Sequence, residues 1–344
     1  MIEKILFKTQ HIAVVVLTTA LLIISCTSTT KKLDVSEIKI ELKKQRLDKD
    51  LFQTKDPVAQ ITLEKFRKDY GTFFDIYTQR IIHLPPADDS IEVANLNNFV
   101  NDKDVQDIYK RTHETFTEAD LNAIYSGVED FLKHYQYYFK KQPVHTIVTF
   151  ISAFNYNIIT TDSVIGIGLD MYLGKDCPFY PSINFPTYMY NRFSKEYIVN
   201  DCIKGWFQSE YDIEKEKKEM LSQMIYYGKQ IYFTDMMAPD INDTIKTGYS
   251  QKQLEWCEQN QGQMWGFYIE KKLLYSTEEK EYMKFLSDGN TTQGFPEGSP
   301  AKTGQWLGWQ IVKAYMKNND VTLQQLLNEH DAQKILQQSG YKPR

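Results

Sequence analysis

The stretch VHTIVTFISAFNYNIITTDSVIGIGLDMYLG, residues 144–174, decides the fold class. It is dense in Val, Ile and Thr, which suit a pleated, half-buried backbone, and it breaks into short runs at Asn, Asp and Ser. A small sheet is expected across 144–173. On either side the texture is helical. Upstream, Leu63, Phe66, Tyr70, Phe73, Phe74, Tyr77 and Ile81 recur at three and four, which predicts a helix over 57–83. Pro85-Pro86 interrupts the chain, and shorter helices follow at about 90–100 and 102–115. Thr117 is a candidate N-cap for a longer helix that Pro143 ends. Downstream, helices are expected at 187–208, 213–236, 250–274, 276–287 and 303–318, with Ser276-Thr-Glu-Glu279 as a capping box. Near the start, SEIKIELKKQ (36–45) alternates Ile38, Ile40 and Leu42 with polar residues and predicts a strand near 36–42. The expectation is an α+β fold, mostly helical, with a small central sheet packed by helices. Gly166-Ile-Gly168 is no dinucleotide fingerprint, because Met171 takes the third glycine's place and no helix opens there. Close packing in a strand explains both glycines.

The first residues carry a different signal. Lys4 and Lys8 precede Ile12–Ile24, an apolar run of 13 residues. That is short for a membrane span and fits the core of a signal peptide. It ends in Ile23-Ile24-Ser25-Cys26, which resembles a bacterial lipobox. The expected division is a signal peptide at 1–25, a lipidated tether at 26–34 (Cys26 acylated) and one globular domain at 35–344. A formal net charge of −5 excludes a basic nucleic-acid footprint. Three further cysteines, Cys177, Cys202 and Cys257, allow at most one disulfide and rule out a disulfide-held scaffold.

Within the helix expected at 187–208, YNRFSKEYIVND (190–201) has the frame of a zinc-protease H-E-x-x-H helix without its histidines. Lys195 and Val199 stand where two imidazoles would share a metal, and neither ligates zinc in the ordinary way. Glu196 would lack the metal-bound water it would deprotonate. Arg192, four residues earlier, is its expected charge partner. No histidines of the mature chain lie four apart, and no G-x-S-x-G elbow is present. No cofactor is expected. The run EKEKKE (214–219) reads as a solvated face with Glu214–Lys218 paired. Trp306, Trp309, Trp265 and Tyr249 are candidates for an aromatic binding surface, although such residues at helical spacing more often fill a core.

A resemblance adds to this reading. GLDMYLGKDCPFY (168–180), RFSKEYIVND (192–201), MIYYGKQIYFTDMM (224–237), TGYSQKQLEWC (247–257), MWGFYIEKKLLYST (264–277) and SPAKTGQWLGWQIVKAYM (299–316), together with Cys26, resemble the GldB family of gliding-motility lipoproteins of Bacteroidetes. The resemblance implies a lipid-anchored cell-envelope protein of the gliding and associated secretion machinery, with other envelope proteins as partners. More distantly the chain is similar to zinc proteases of the DUF2268 type. Leu173-Gly174 match their Leu-Gly turn, Lys195, Glu196 and Val199 the ligand helix, Tyr227-Gly228 the third-ligand helix, and Gly304 and Gly308 a C-terminal glycine pair. All three ligand positions depart, to Lys195, Val199 and Tyr227. This second resemblance implies a gluzincin-like architecture without its metal.

Three functions are therefore open. The chain is a protease-like pseudoenzyme that binds or scaffolds, or an active hydrolase built on Glu196 with Tyr227 and a histidine such as His145, or a peptidoglycan- or glycan-binding lipoprotein using Trp306 and Trp309. The segment TSTTKK after Cys26 has no acidic run, which points to an outer-membrane anchor facing the periplasm.

Overall fold

A computed structural model describes residues 33–53, 60–85, 88–141, 144–296 and 298–343. The chain divides into two units, Met1–Glu37 and Ile38–Arg344. The segment expected as a signal peptide, Cys26 and most of the expected tether lie outside the described residues. In the described end of the first unit, the Ser36 amide donates to Asp34 Oδ1 at 2.9 Å. The second unit carries the sheet, the helices and every site residue expected beyond the tether.

Its sheet has four strands, β1 (Lys43–Arg46), β2 (Thr146–Phe150), β3 (Ile158–Thr160) and β4 (Val164–Gly168), in the order β1-β2-β4-β3. β1 and β4 run parallel to β2, and β3 is antiparallel to β4. β2 is buried from Ile147 to Phe150, as expected for a strand covered on both faces. The first strand lies later than the period-2 pattern predicts. Ile40 and Leu42 do pack against the core, but the ladder pairs Lys43 with Thr146 through Arg46 with Thr149. The residues just after β1 set its register: Leu47 and Leu51 are fully buried, and Asp48, also buried, bonds Arg46 and Thr149.

The helix expected over 57–83 is divided. α1 (Gln60–Tyr70) stops at Gly71, whose φ of 58° only glycine adopts readily. A short helix, Thr72–Ile76, then runs into a π-turn, Tyr77–Ile81. α2 (Asp89–Asn101) and α3 (Lys103–Thr115) stand close to their expected places, capped by Asp88 and Asp102. α4 (Glu118–Phe139) starts at Thr117 in a full capping box with Asp120. It ends at a left-handed Lys140, and Pro143 lies outside the described residues.

The second half contains α5 (Ile198–Glu210), α6 (Met220–Met237), α7 (Asp243–Thr247), α8 (Gln251–Glu270) and α9 (Thr303–Asn318). The helix expected at 276–287 is only a turn, Glu279–Tyr282, followed by a 3-10 turn. Ser276 does not form its capping box; its hydroxyl donates to Glu281 at 2.6 Å instead. The run 214–219 precedes α6 rather than joining it, yet Glu214 and Lys218 still pair at 3.4 Å.

α6 is the central helix, buried along most of its length. It crosses α9 at backbone contact. A Cβ on Gly308 would sit 1.8 Å from the Met224 carbonyl oxygen, and one on Gly228 would sit 2.3 Å from the Gly308 carbonyl carbon. The three cysteines are buried free thiols. Among the described residues no helix is long and apolar enough to cross a membrane.

Candidate functional site: a charged two-lobed cleft

The segment expected as one helix over 187–208 is built differently. Thr187–Arg192 and Lys195–Tyr197 are 3-10 turns, and α5 begins only at Ile198. Lys195 and Val199 do turn the same way, but that side packs on α4. Lys195 Nζ donates to Asp120 Oδ1 at 2.6 Å, and a Cβ on Gly127 would meet Val199 at 2.7 Å. Asp120, bonded by Lys195 and by Thr117, is held down to about 2. The supposed ligand face is thus a helix-packing face. Glu196 is exposed in a hollow shared with Arg111, Lys175 and Asp176. It does not pair with Arg192, which instead meets Asp288 at 2.8 Å. The turn between residues 192 and 196 is not α-helical, so four residues do not bring the two side chains together.

The other candidates scatter. Tyr227 is half-buried, its ring edge-on to Tyr226. His145 is exposed and precedes β2, at the opposite end of the parallel strands from Leu169–Tyr172. Trp306 and Trp309 are each 3% exposed, so they are core residues and no open aromatic surface. Trp309 Nε1 donates to Asp235 Oδ2 at 2.7 Å. Trp265 is half-buried against Tyr341. Tyr249 is buried, with its hydroxyl donated to the Ala301 carbonyl, and of the four it alone lines the main cleft. Among the described residues, no three His, Cys, Asp or Glu side chains converge as metal ligands.

That cleft opens on a neighbouring side of the 187–210 segment. One lobe, about 400 Å³, lies between Arg192, Tyr197, Tyr249, Asp288 and Lys302. A second, about 210 Å³, shares Arg192, Tyr197 and Gly248 with it and continues to Tyr172, Asp201 and Lys204. Tyr197, Asp201 and Lys204 follow at four and three, one face of α5 and its entry turn. Gly248 ends α7 with φ 75°, and a Cβ there would press on Arg192 Cδ at 2.9 Å. The tight approach lets the guanidinium lie across the chain at the mouth between the lobes.

Charge is concentrated here. Asp288 bridges Arg192 and, at 3.1 Å, Lys302. Burial alone would raise its pKa, but the two cations outweigh it and hold the carboxyl below its usual range. Lys302 Nζ also donates to the Thr247 carbonyl at 3.3 Å, and Lys204 Nζ to the Lys246 carbonyl at 2.8 Å. Both therefore cap the negative end of α7. Burial pushes the Lys204 ammonium down to about 8 against the pull of Asp201. Burial lowers Lys302 too and raises Asp201, which accepts from Tyr172 Oη at 2.9 Å and from Asn200.

Lys302 is the most unusual member. It occupies the N-cap of α9 in a left-handed conformation, φ 57°. A non-glycine residue there is strained, and a cation at a helix N-terminus opposes the dipole. The Lys302 ammonium, paired with Asp288 and donating to the Thr247 carbonyl at the end of α7, is carried into the cleft. A sequence signal for it exists in SPAKTG, where lysine directly precedes the helical pattern. Asp201 and Lys204 are readable as an i,i+3 pair, on a different side of the segment from the H-E-x-x-H frame.

The fold and the cleft define a mostly helical α+β protein with a small mixed sheet and a polar, charge-lined cleft. Residues 28–343 match the family described as gliding motility protein GldB, and the chain belongs to that family of gliding-motility lipoproteins. No curated protein and no solved structure matches it significantly.

Proposed function

We propose that this lipoprotein, anchored through Cys26, serves gliding motility by holding a ligand in the Arg192–Lys302 cleft and not by hydrolysis centred on Glu196. The observation that carries this reading is Lys302. A lysine strained in the left-handed region lines an open void beside Arg192 and Lys204, the pattern expected where function outweighs local stability. Such a protein is a binding or scaffolding component of the envelope machinery, placed on the periplasmic face of the outer membrane. Descent from a zinc-protease-like fold accords with the order of its parts, and Lys195, Val199 and Tyr227 would then be ligand positions turned over to packing. The reading of glycan binding by Trp306 and Trp309 loses support from their burial.

The test is a strain whose only copy carries Arg192→Gln with Lys302→Gln. Gliding should stop while the lipidated protein accumulates to its normal level. Normal gliding would remove the cleft from the account. A tightly held zinc in the purified protein, lost together with peptidase activity, would overturn the non-catalytic part.

A further inference from the structure

The charges and walls of the cleft point to a ligand class, an inference that rests on the cleft being the binding site. Its charged centre is one carboxylate shared by two cations: Asp288 Oδ2 faces Arg192 and Oδ1 faces Lys302. The side chain of Asp288 is 37% exposed against 22% for Arg192 and 15% for Lys302. It comes from the loop that leads into α9, whereas the two cations are held in place by Gly248 and by the α7 carbonyls. A guanidinium has five N–H donors and an ammonium three, so both cations keep donors for a second acceptor from the 400 Å³ lobe.

Counted over both lobes, Arg192, Lys204 and Lys302 oppose Asp201 and Asp288. One positive charge is in surplus while Asp288 faces the cations, and two once a ligand has displaced it, so the cleft suits an anion. The surroundings suit a peptide. Asn191, Gln253 and Asn290 offer amides around the first lobe, able both to donate to and accept from a peptide backbone. Met189, Phe193 and Ile245 line part of the second, beside Asp201 and Lys204, and offer a place for an apolar side chain that a sugar lacks. Together the lobes fall within the usual size of a small-ligand site.

We propose that Arg192 and Lys302 receive the C-terminal carboxylate of a peptide, that the terminal residue's apolar side chain enters the lobe lined in part by Met189, Phe193 and Ile245, and that Asp288 holds the two cations when no peptide is bound. Asp288 is then an internal competitor. Removing its charge strengthens binding instead of weakening it, because a guanidinium–carboxylate pair with a ligand replaces one already made within the chain.

The experiment presents the full lipidated chain in detergent with a pool of N-acetylated tripeptides varied at the last residue, as free acids and as C-terminal amides. Retained peptides are identified by mass spectrometry after equilibrium dialysis. Free acids ending in apolar residues should be retained, with their amides weaker by about tenfold or more, the scale of one lost charge-assisted contact. Asp288→Asn should bind the acids several-fold tighter, and Arg192→Gln with Lys302→Gln should lose them. Acids and amides retained alike, no peptide retained by either wild type or Asp288→Asn, or weaker binding by Asp288→Asn each overturns the proposal. If the double variant fails to fold, the comparison of acid with amide on the wild-type chain decides alone. Should gliding require Arg192 and Lys302 while no peptide is retained, the ligand class falls and the cleft reading stands. Should gliding not require them, the cleft reading itself falls.

Discussion

Replacing Asp201 with Asn and Lys204 with Met together should make the protein more stable at neutral pH. The Lys204 ammonium is pushed from 10.5 down to about 8 although Asp201 faces it. At about 1.4 kcal/mol per pH unit, carrying that charge costs roughly 3 kcal/mol at neutral pH. Methionine keeps the stem but gives up the bond to the Lys246 carbonyl, worth about 1 kcal/mol. Asparagine keeps an oxygen for Tyr172 and sheds a carboxylate whose pKa burial raises. The net gain is about 2 kcal/mol, or roughly 4 °C in melting temperature for a domain of this size. Each single variant should fall short of the double one, since each leaves the other charge buried without its opposite. The pH dependence gives an independent check. The folded lysine releases its proton near 8 and the unfolded one near 10.5, so the folded state binds fewer protons in between. Wild-type stability therefore climbs across that window, and the variant's advantage is lost before its top. Urea titrations of wild type, both singles and the double measure this. A double variant less stable than wild type at about pH 7, or an advantage unchanged at the alkaline end, would refute the reasoning.

Glu196→Gln should leave gliding and the melting temperature close to wild type, because the side chain is exposed and makes no pair with Arg192; loss of gliding at unchanged stability would restore it as a catalytic candidate. Gly308→Ala should cost more than about 3 kcal/mol, since its methyl would sit 1.8 Å from the Met224 carbonyl oxygen. Gly266→Ala, which meets nothing within 4 Å on α8, should gain about 0.5–1 kcal/mol; equal effects of the two in urea unfolding would contradict the helix crossing. Asp170 is fully buried beneath the left-handed Ala153-Phe154 turn, accepting from the Ser152 and Phe154 amides. Burial outweighs those bonds and pushes its carboxyl up to about 6 from 3.8, so the folded state holds the proton more tightly. Stability should fall as pH rises through that window, and Asp170→Asn should flatten the fall; an unchanged slope would assign it to other groups.

The sheet was legible because 144–173 is rich in β-branched residues, α4 because its cap and periodicity agree, and α2, α3 and α9 from their helical texture alone. Failures came where one residue or a distant partner decides. Gly71 divides a helix whose apolar pattern runs straight through the break, since Phe73, Phe74, Tyr77 and Ile81 remain buried on the far side. β1 lies where Asp48 and Leu47 anchor it rather than where residues alternate. The glycine pair Gly304 and Gly308 was visible on α9, but that Gly308 meets Gly228 shows only in the folded chain. The cleft was scarcely readable, because Arg192 and Asp201 come from one segment, Asp288 and Lys302 from a loop about a hundred residues on, and only folding brings them together. The H-E-x-x-H frame falls on the same segment as the cleft, but on the face of Lys195 and Val199, which α4 covers.

The central claim is that ligand docks at the cleft and not at the hollow around Glu196. Its most direct test places a photoreactive amino acid at Asn290, on the exposed rim of the cleft, or at Lys175, in the hollow, in gliding cells. Light should yield a covalent adduct from position 290 that disappears when Arg192 and Lys302 are both changed to Gln, and none from position 175. An adduct from position 175 alone, or one from position 290 that survives loss of both cations, would contradict it.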